Sequence, residues 1–148
     1  MEEYKSEWTD QDYDIMSWHD CTLYSINFLK KEFSLELEID YIFNWEKNDD
    51  HETGHKFTVA PCILKFVNYS DLEINIPWNQ TYDVIINEVQ RSEPFYAPNN
   101  EIMMAEYNVI LETGFIKLKA TGFNMNLLSK PIVIESQNIE FSARKNLL

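Results

Sequence analysis

Phe33-Ser34-Leu35-Glu36-Leu37-Glu38-Ile39-Asp40-Tyr41 is the stretch that decides the fold class. Its apolar and polar residues alternate strictly, a period of two that belongs to an extended chain with side chains on opposite faces in turn. A helix would scatter Phe33, Leu35, Leu37, Ile39 and Tyr41 around its circumference. The stretch reads as a half-buried antiparallel strand, its apolar set on a core and Glu36, Glu38 and Asp40 on the polar face.

Working outward, Thr22, Tyr24, Ile26 and Phe28 share one side of a preceding strand, and Leu29-Lys30-Lys31-Glu32 makes a hairpin connection. Phe57-Thr58-Val59, Ile63 to Val67 and Leu72 to Ile76 read as further strands. Asn68-Tyr69-Ser70-Asp71 turns the chain between the last two, because Asn, Ser and Asp side chains bond their own backbone. Val84 to Gln90 is rich in β-branched residues. Tyr107 to Leu111 and Phe115 to Thr121 form a second hairpin about Thr113-Gly114, where glycine can take a positive φ. Glu93 to Asn100, with Pro94 and Pro98, reads as a surface loop, and Ile132-Val133-Ile134 as a short edge strand after Pro131. The only helix candidates are Thr9 to Met16 and Glu101 to Glu106. The expectation is an all-β, mainly antiparallel fold. It is a β-sandwich or partly open barrel of about 8–10 short strands with at most one or two short helices.

With 148 residues, 45% of them hydrophobic and 14% aromatic, one core is expected without help from disulfides or metals. Residues 1–16 read as an acidic N-terminal arm or short helix, 17–140 as the β core and 141–148 as a tail. The net charge of −13, from 25 acidic and 12 basic residues, repels phosphate backbones and anionic lipid. Nucleic acid and membrane are therefore unexpected partners, and a basic protein is the partner that charge allows. The acidic start lacks the basic and apolar segments of a secretory signal, so the chain is expected in the cytoplasm with Cys21 and Cys62 reduced. Only 3 glycines leave nothing to cradle a nucleotide phosphate, and no cofactor is expected.

His51-Glu52-Thr53-Gly54-His55 matches the H-E-x-x-H pattern of zinc proteases, in which a helix aims two histidines at one metal and the Glu serves as base. The context argues against it. Glu46, Lys47, Asn48, Asp49 and Asp50 before it are solvated and turn-forming, and Gly54 costs a helix interior about 1 kcal/mol. Phe57-Thr58-Val59 resumes a β pattern just after it, and no third ligand stands at the spacing of the extended motif. A polar hairpin loop is the favoured reading, and His51, Glu52 and His55 stand only as candidate metal ligands.

The candidate binding residues are Trp18, His19, Asp20, Asp40, Trp45, Trp78 and Arg91. A His beside a carboxylate could move protons, but His19 and Asp20 as neighbours on an extended chain would point opposite ways. A structural Trp18, with His19 and Asp20 capping local backbone, is the favoured alternative. Asp40 with Glu36 and Glu38 could hold a cation, or form ordinary cross-strand pairs with Arg91, Lys65 or Lys117. Trp45 and Trp78 stand near strand ends, where they either stack on a sugar or partner or close the core.

Ser17-Trp18-His19-Asp20, Leu37 to Ile42 with Trp45, Phe57-Thr58-Val59-Ala60-Pro61, Leu64 to Asn68 with Asp71-Leu72, Gly114-Phe115-Ile116 and Ala120-Thr121-Gly122-Phe123 together resemble a group of small, uncharacterised, single-domain bacterial proteins. The likeness covers Ser17 to about Gln137, and Cys21 departs from it where a polar residue such as Asn is expected. Size and acidity also resemble the immunity proteins that neutralise bacterial toxins. The resemblance implies a fold family and a bacterial cytoplasm, and no activity. The reading is thus a non-catalytic, acidic interaction module of unassigned oligomeric state. The alternatives are a metal-dependent hydrolase using His51 to His55 and a barrel that binds a small ligand at its mouth.

Overall fold

The structure, a computed structural model, describes residues 5–47, 54–77 and 83–148. Among these residues the chain forms β1 (Glu7–Thr9), β2 (Thr22–Leu29), β3 (Ser34–Lys47), β4 (His55–Val67), β5 (Ser70–Asn75) and β6 (Val84–Arg91). It continues with β7 (Phe95–Tyr96), β8 (Met103–Leu111), β9 (Gly114–Ala120), β10 (Gly122–Leu127), β11 (Ile132–Ile134) and helix α1 (Phe141–Leu147). Every pairing is antiparallel, in one open sheet of order β1-β10-β4-β3-β2-β6-β8-β9-β5, with β11 added to β4 and β7 to β8. The all-β expectation holds, with eleven described strands. No helix among the described residues is long and apolar enough to cross a membrane.

The deciding stretch lies in β3 apart from Phe33, which takes left-handed backbone just before the strand and is exposed instead of core-facing; Leu35, Leu37, Ile39 and Tyr41 all face the core. The sheet folds over on itself, its two halves pairing as strands, among the described residues, only at Thr22–Ile85 and Leu23–Val84. Phe66 of β4 reaches across to Tyr107 of β8 at 5.2 Å between ring centroids, and Phe123 of β10 meets Tyr107 edge-on at 5.9 Å. Two corners carry the chain between halves. Asn68, between β4 and β5, and Asp71, at the irregular start of β5, take left-handed backbone, which Asn and Asp tolerate better than most residues. Thr121, between β9 and β10, donates both its backbone N–H and its hydroxyl to the Val67 carbonyl.

Several elements differ from expectation for identifiable reasons. Phe57–Val59 and Ile63–Val67 are one strand, β4, running through Pro61. In a strand the N and C=O of one residue point to the same neighbour. On that side of β4, β11 pairs with residues 57–59 and β10 with 62–67, so the missing proline donor falls in the gap between them. Leu128 N–H still finds the Pro61 carbonyl at 2.8 Å. The helix expected over Glu101 to Glu106 is instead the start of β8, because Met104 pairs with Phe95 and Ala105 with Ala120. Thr9 to Met16 does coil, as a 3-10 turn over Asp10–Ile15 in which Thr9 and Asp12 form a reciprocal capping box. The segment 141–148, read as a tail, contains α1.

Gly114 has φ +138, and a Cβ there would lie 2.0 Å from the Asn75 carbonyl oxygen of β5. Backbone cannot yield as a flexible side chain does, so Gly114→Ala should cost at least about 2 kcal/mol. Urea denaturation checks this, with the midpoint expected to fall at unchanged slope.

Candidate functional site

Trp18 is an anchor. It is buried among Tyr41, at 6.2 Å, and Phe123, at 5.6 Å, both edge-on. The chain then turns: Cys21 N–H bonds the Trp18 carbonyl at 3.1 Å, and Asp20 takes a left-handed φ of 66°. This turn corrects the extended reading of His19 and Asp20, since β2 begins only at Thr22. The two side chains meet, His19 Nε2 lying 3.4 Å from Asp20 Oδ2. Gln137 Nε2 donates to the same oxygen at 3.0 Å, and Asp20 N–H is fixed on the Ile86 carbonyl at 2.8 Å.

This turn forms one end of a cleft of about 600 Å³. The other walls come from the distal ends of β3 and β4. A bulge between Ile42 and Asn44 adds twist there, which turns consecutive side chains of β3 toward the opening. Trp45 stands over His55 at 5.2 Å between centroids, a diagonal pair across the hairpin, and Phe57 lies beside them. Trp45 is 61% exposed and Ile15, which also lines the cleft, 80%. The cleft thus joins an aromatic wall to a fixed carboxylate.

His19 Nδ1 lies 3.1 Å from the Asn87 carbonyl and Nε2 3.4 Å from Asp20 Oδ2, so the ring is held between them. The adjacent Cys21 is no nucleophile, being wholly buried with its thiol pushed from 9.0 up to about 12, chiefly by desolvation. His55 opens β4 on extended backbone, not on a helix, and its Nδ1 is buried without a hydrogen-bond partner among the described residues. His51 and Glu52 lie outside the described residues, as does Trp78. Among the described residues no three His, Cys, Asp or Glu side chains come together to hold a metal. Phe66, Tyr107 and Phe123 pack against one another between the two halves of the sheet.

Two candidates lie elsewhere. Arg91 stacks on Tyr13, 4.2 Å from its ring centroid, and donates to the Asp10 carbonyl at 2.9 Å. Asp40 has no solvent exposure at all. None of its expected partners reaches it: Lys65 pairs with Glu32, Lys117 with Glu106, and Arg91 is spent on Asp10. Its partner is Arg144 of α1, bonded to Asp40 Oδ1 and, at 2.9 Å, to Glu38. Asp40 Oδ2 accepts Tyr24 O–H at 2.6 Å and Ile139 N–H at 2.8 Å. Tyr24 is the bulged residue of β2, which aims its ring at this outer face, 3.9 Å beneath the Arg144 guanidinium. Burial, and then the Asp40 carboxylate it bonds, hold the Tyr24 phenol well above its usual range.

Sequence reasoning missed Gln137, Ile15 and Arg144. Gln137 and Arg144 sit 117 and 104 residues from the carboxylates they meet, and no local pattern encodes such a separation. No family model matches this chain, and no curated protein or solved structure matches it either.

Both cysteines are unbridged and buried. Burial lifts Cys62 to about 12 as well, and it lifts the Tyr41 and Tyr107 phenols from 10.0 to about 12. The folded chain holds these protons more tightly than the unfolded one. The stability they contribute is complete below about pH 9 and is lost as pH climbs toward 12. Ellman's reagent at about pH 8 should leave both thiols unmodified until denaturant is added. The urea midpoint should fall steadily above pH 9.

Proposed function

We propose that this chain is a non-catalytic binding module of a bacterial cytoplasm, and that its cleft takes a basic segment of a protein partner. The observation that carries the reading is the exposed Trp45 wall facing an Asp20 that backbone and Gln137 hold in place. A Lys or Arg side chain suits both. Its aliphatic stem covers Trp45 and Ile15, and its charge meets Asp20 and the aromatic face. A cation on an aromatic ring adds about 0.5–2 kcal/mol, depending on how far it is desolvated.

The formal charge of −13 supports the same partner, because an acidic field steers a basic one and repels anions. Trp is also among the residues most enriched where interfaces concentrate their energy. Neutralisation of a toxin, in the manner of immunity proteins, is one form this partnership takes. The cytoplasmic setting rests on two buried, unbridged thiols.

Titrating ¹⁵N-labelled protein with a short Arg/Leu peptide tests the reading, with an Asp/Leu peptide as control. The basic peptide should shift the Trp45 indole and the Gln137 side-chain amide. Its affinity should weaken several-fold as ionic strength rises from about 0.01 M to about 0.1 M, where the screening length shrinks from about 30 Å to about 10 Å. Trp45→Ala should abolish the Gln137 shift. Equal binding of the acidic peptide, or no response in the cleft, would refute the proposal.

A further inference from the structure

The segment after β11 crosses the outer face of β3 and β2 and hands donors to one carboxylate after another. Gln137 bonds Asp20 at 3.0 Å and Asn138 bonds Asp83 at 3.1 Å and the Thr22 hydroxyl at 3.2 Å. Ile139 N–H and Arg144 then close on Asp40. Helix α1 buries no residue but Arg144, and Phe141 at its start is exposed. No apolar stripe holds this helix to the sheet. Among the described residues its buried anchor is the Arg144 guanidinium, clamped between two carboxylates and the Tyr24 ring, next to the buried Ile139 that leads into the helix.

We infer that Arg144 is a positioning residue for the cleft. It locks the C-terminal arm, and the arm in turn sets Gln137 against Asp20. This deepens the binding role proposed above and rests on it. Every link from Arg144 to Asp20 is a hydrogen bond or a few residues of backbone between two bonded residues. A cation docking at Asp20 meets a carboxylate already oriented by Gln137. When the arm is loose, that orientation is lost and binding weakens.

The test uses Arg144→Ala, Arg144→Lys, Gln137→Ala and the double variant Arg144→Ala/Gln137→Ala, read by two measurements. In the unliganded protein, Arg144→Ala should move the His19 ring and Gln137 amide signals while β8 and β9 stay unshifted. Arg144→Lys, or added guanidinium, should return them part-way. With the Arg/Leu peptide, Arg144→Ala and Gln137→Ala should each weaken binding about fivefold to tenfold, the range in which residues remote from a ligand act. The double variant should be no weaker than either single one, because both break one chain of contacts. Additive losses, a silent Gln137→Ala, or unmoved His19 and Gln137 signals in Arg144→Ala would overturn the inference. If Arg144→Ala does not fold, Gln137→Ala leaves the buried pair intact and decides the last link alone. If wild-type protein takes no basic peptide, the binding role fails, while the signals of the unliganded variants still judge the latch.

Discussion

Asp40 is a charged side chain in the middle of the longest strand, sealed from water, and the outer architecture of β2 and β3 follows from the need to satisfy it. Taking a carboxylate and a guanidinium out of water costs several kcal/mol each, recovered only when the remaining lone pairs and protons find partners. Here they do. Arg144 meets one oxygen of Asp40, while Tyr24 and Ile139 meet the other, and Glu38 takes the second arm of the guanidinium. Removing one member of such a pair typically costs about 3–5 kcal/mol, because the survivor stays buried and uncompensated. A seven-residue helix with a single buried side chain would otherwise have little reason to stay on the sheet.

The same arm relieves a wider electrostatic problem. A chain with 25 acidic and 12 basic residues crowds carboxylates on the outer face near the start of β2, where Asp20, Asp40 and Asp83 gather. Donors from residues 137–144 neutralise or hydrogen-bond each of them, and the row becomes a seam between arm and sheet. Beneath that seam the core is of a different kind. Phe66, Tyr107, Phe123, Trp18 and Tyr41 interlock edge-on and tilted, filling the fold between the two halves of the sheet. The cleft lies where these regions meet, with Trp18 and Tyr41 behind it and the arm's Gln137 at its side.

The fold was legible wherever period-two alternation ran without interruption. Leu35 to Tyr41 and Ile116 to Ala120 read correctly because a half-buried strand leaves no other pattern. β10 was missed although Phe123, Met125 and Leu127 alternate with Asn124 and Asn126. It comes straight after β9, and nothing local marks the corner at Thr121 that separates the two. Propensity misled at Met103 to Ala105, which tolerate helix but pair as strand. The site was half legible. His19, Asp20 and Trp45 were named from their chemistry, yet their convergence depends on a left-handed Asp20 and a bulge in β3, neither of which a pattern of polarity records. Asp40 was read as solvated because its strand predicts a polar outer face; what covers that face comes from far along the chain.

The amide of Ile139 reports directly on whether the buried carboxylate holds the arm in place, since that N–H donates to Asp40 from a segment without sheet pairing of its own. Native-state hydrogen exchange followed by NMR compares it with the amides of Leu37 and Leu64 in the centre of the sheet. The account predicts slow exchange at Ile139, within about tenfold of those core amides, because opening it would strand Asp40 without partners. Exchange as fast as in an exposed chain end would contradict it, and would mean that the arm comes and goes without consequence for the strand beneath.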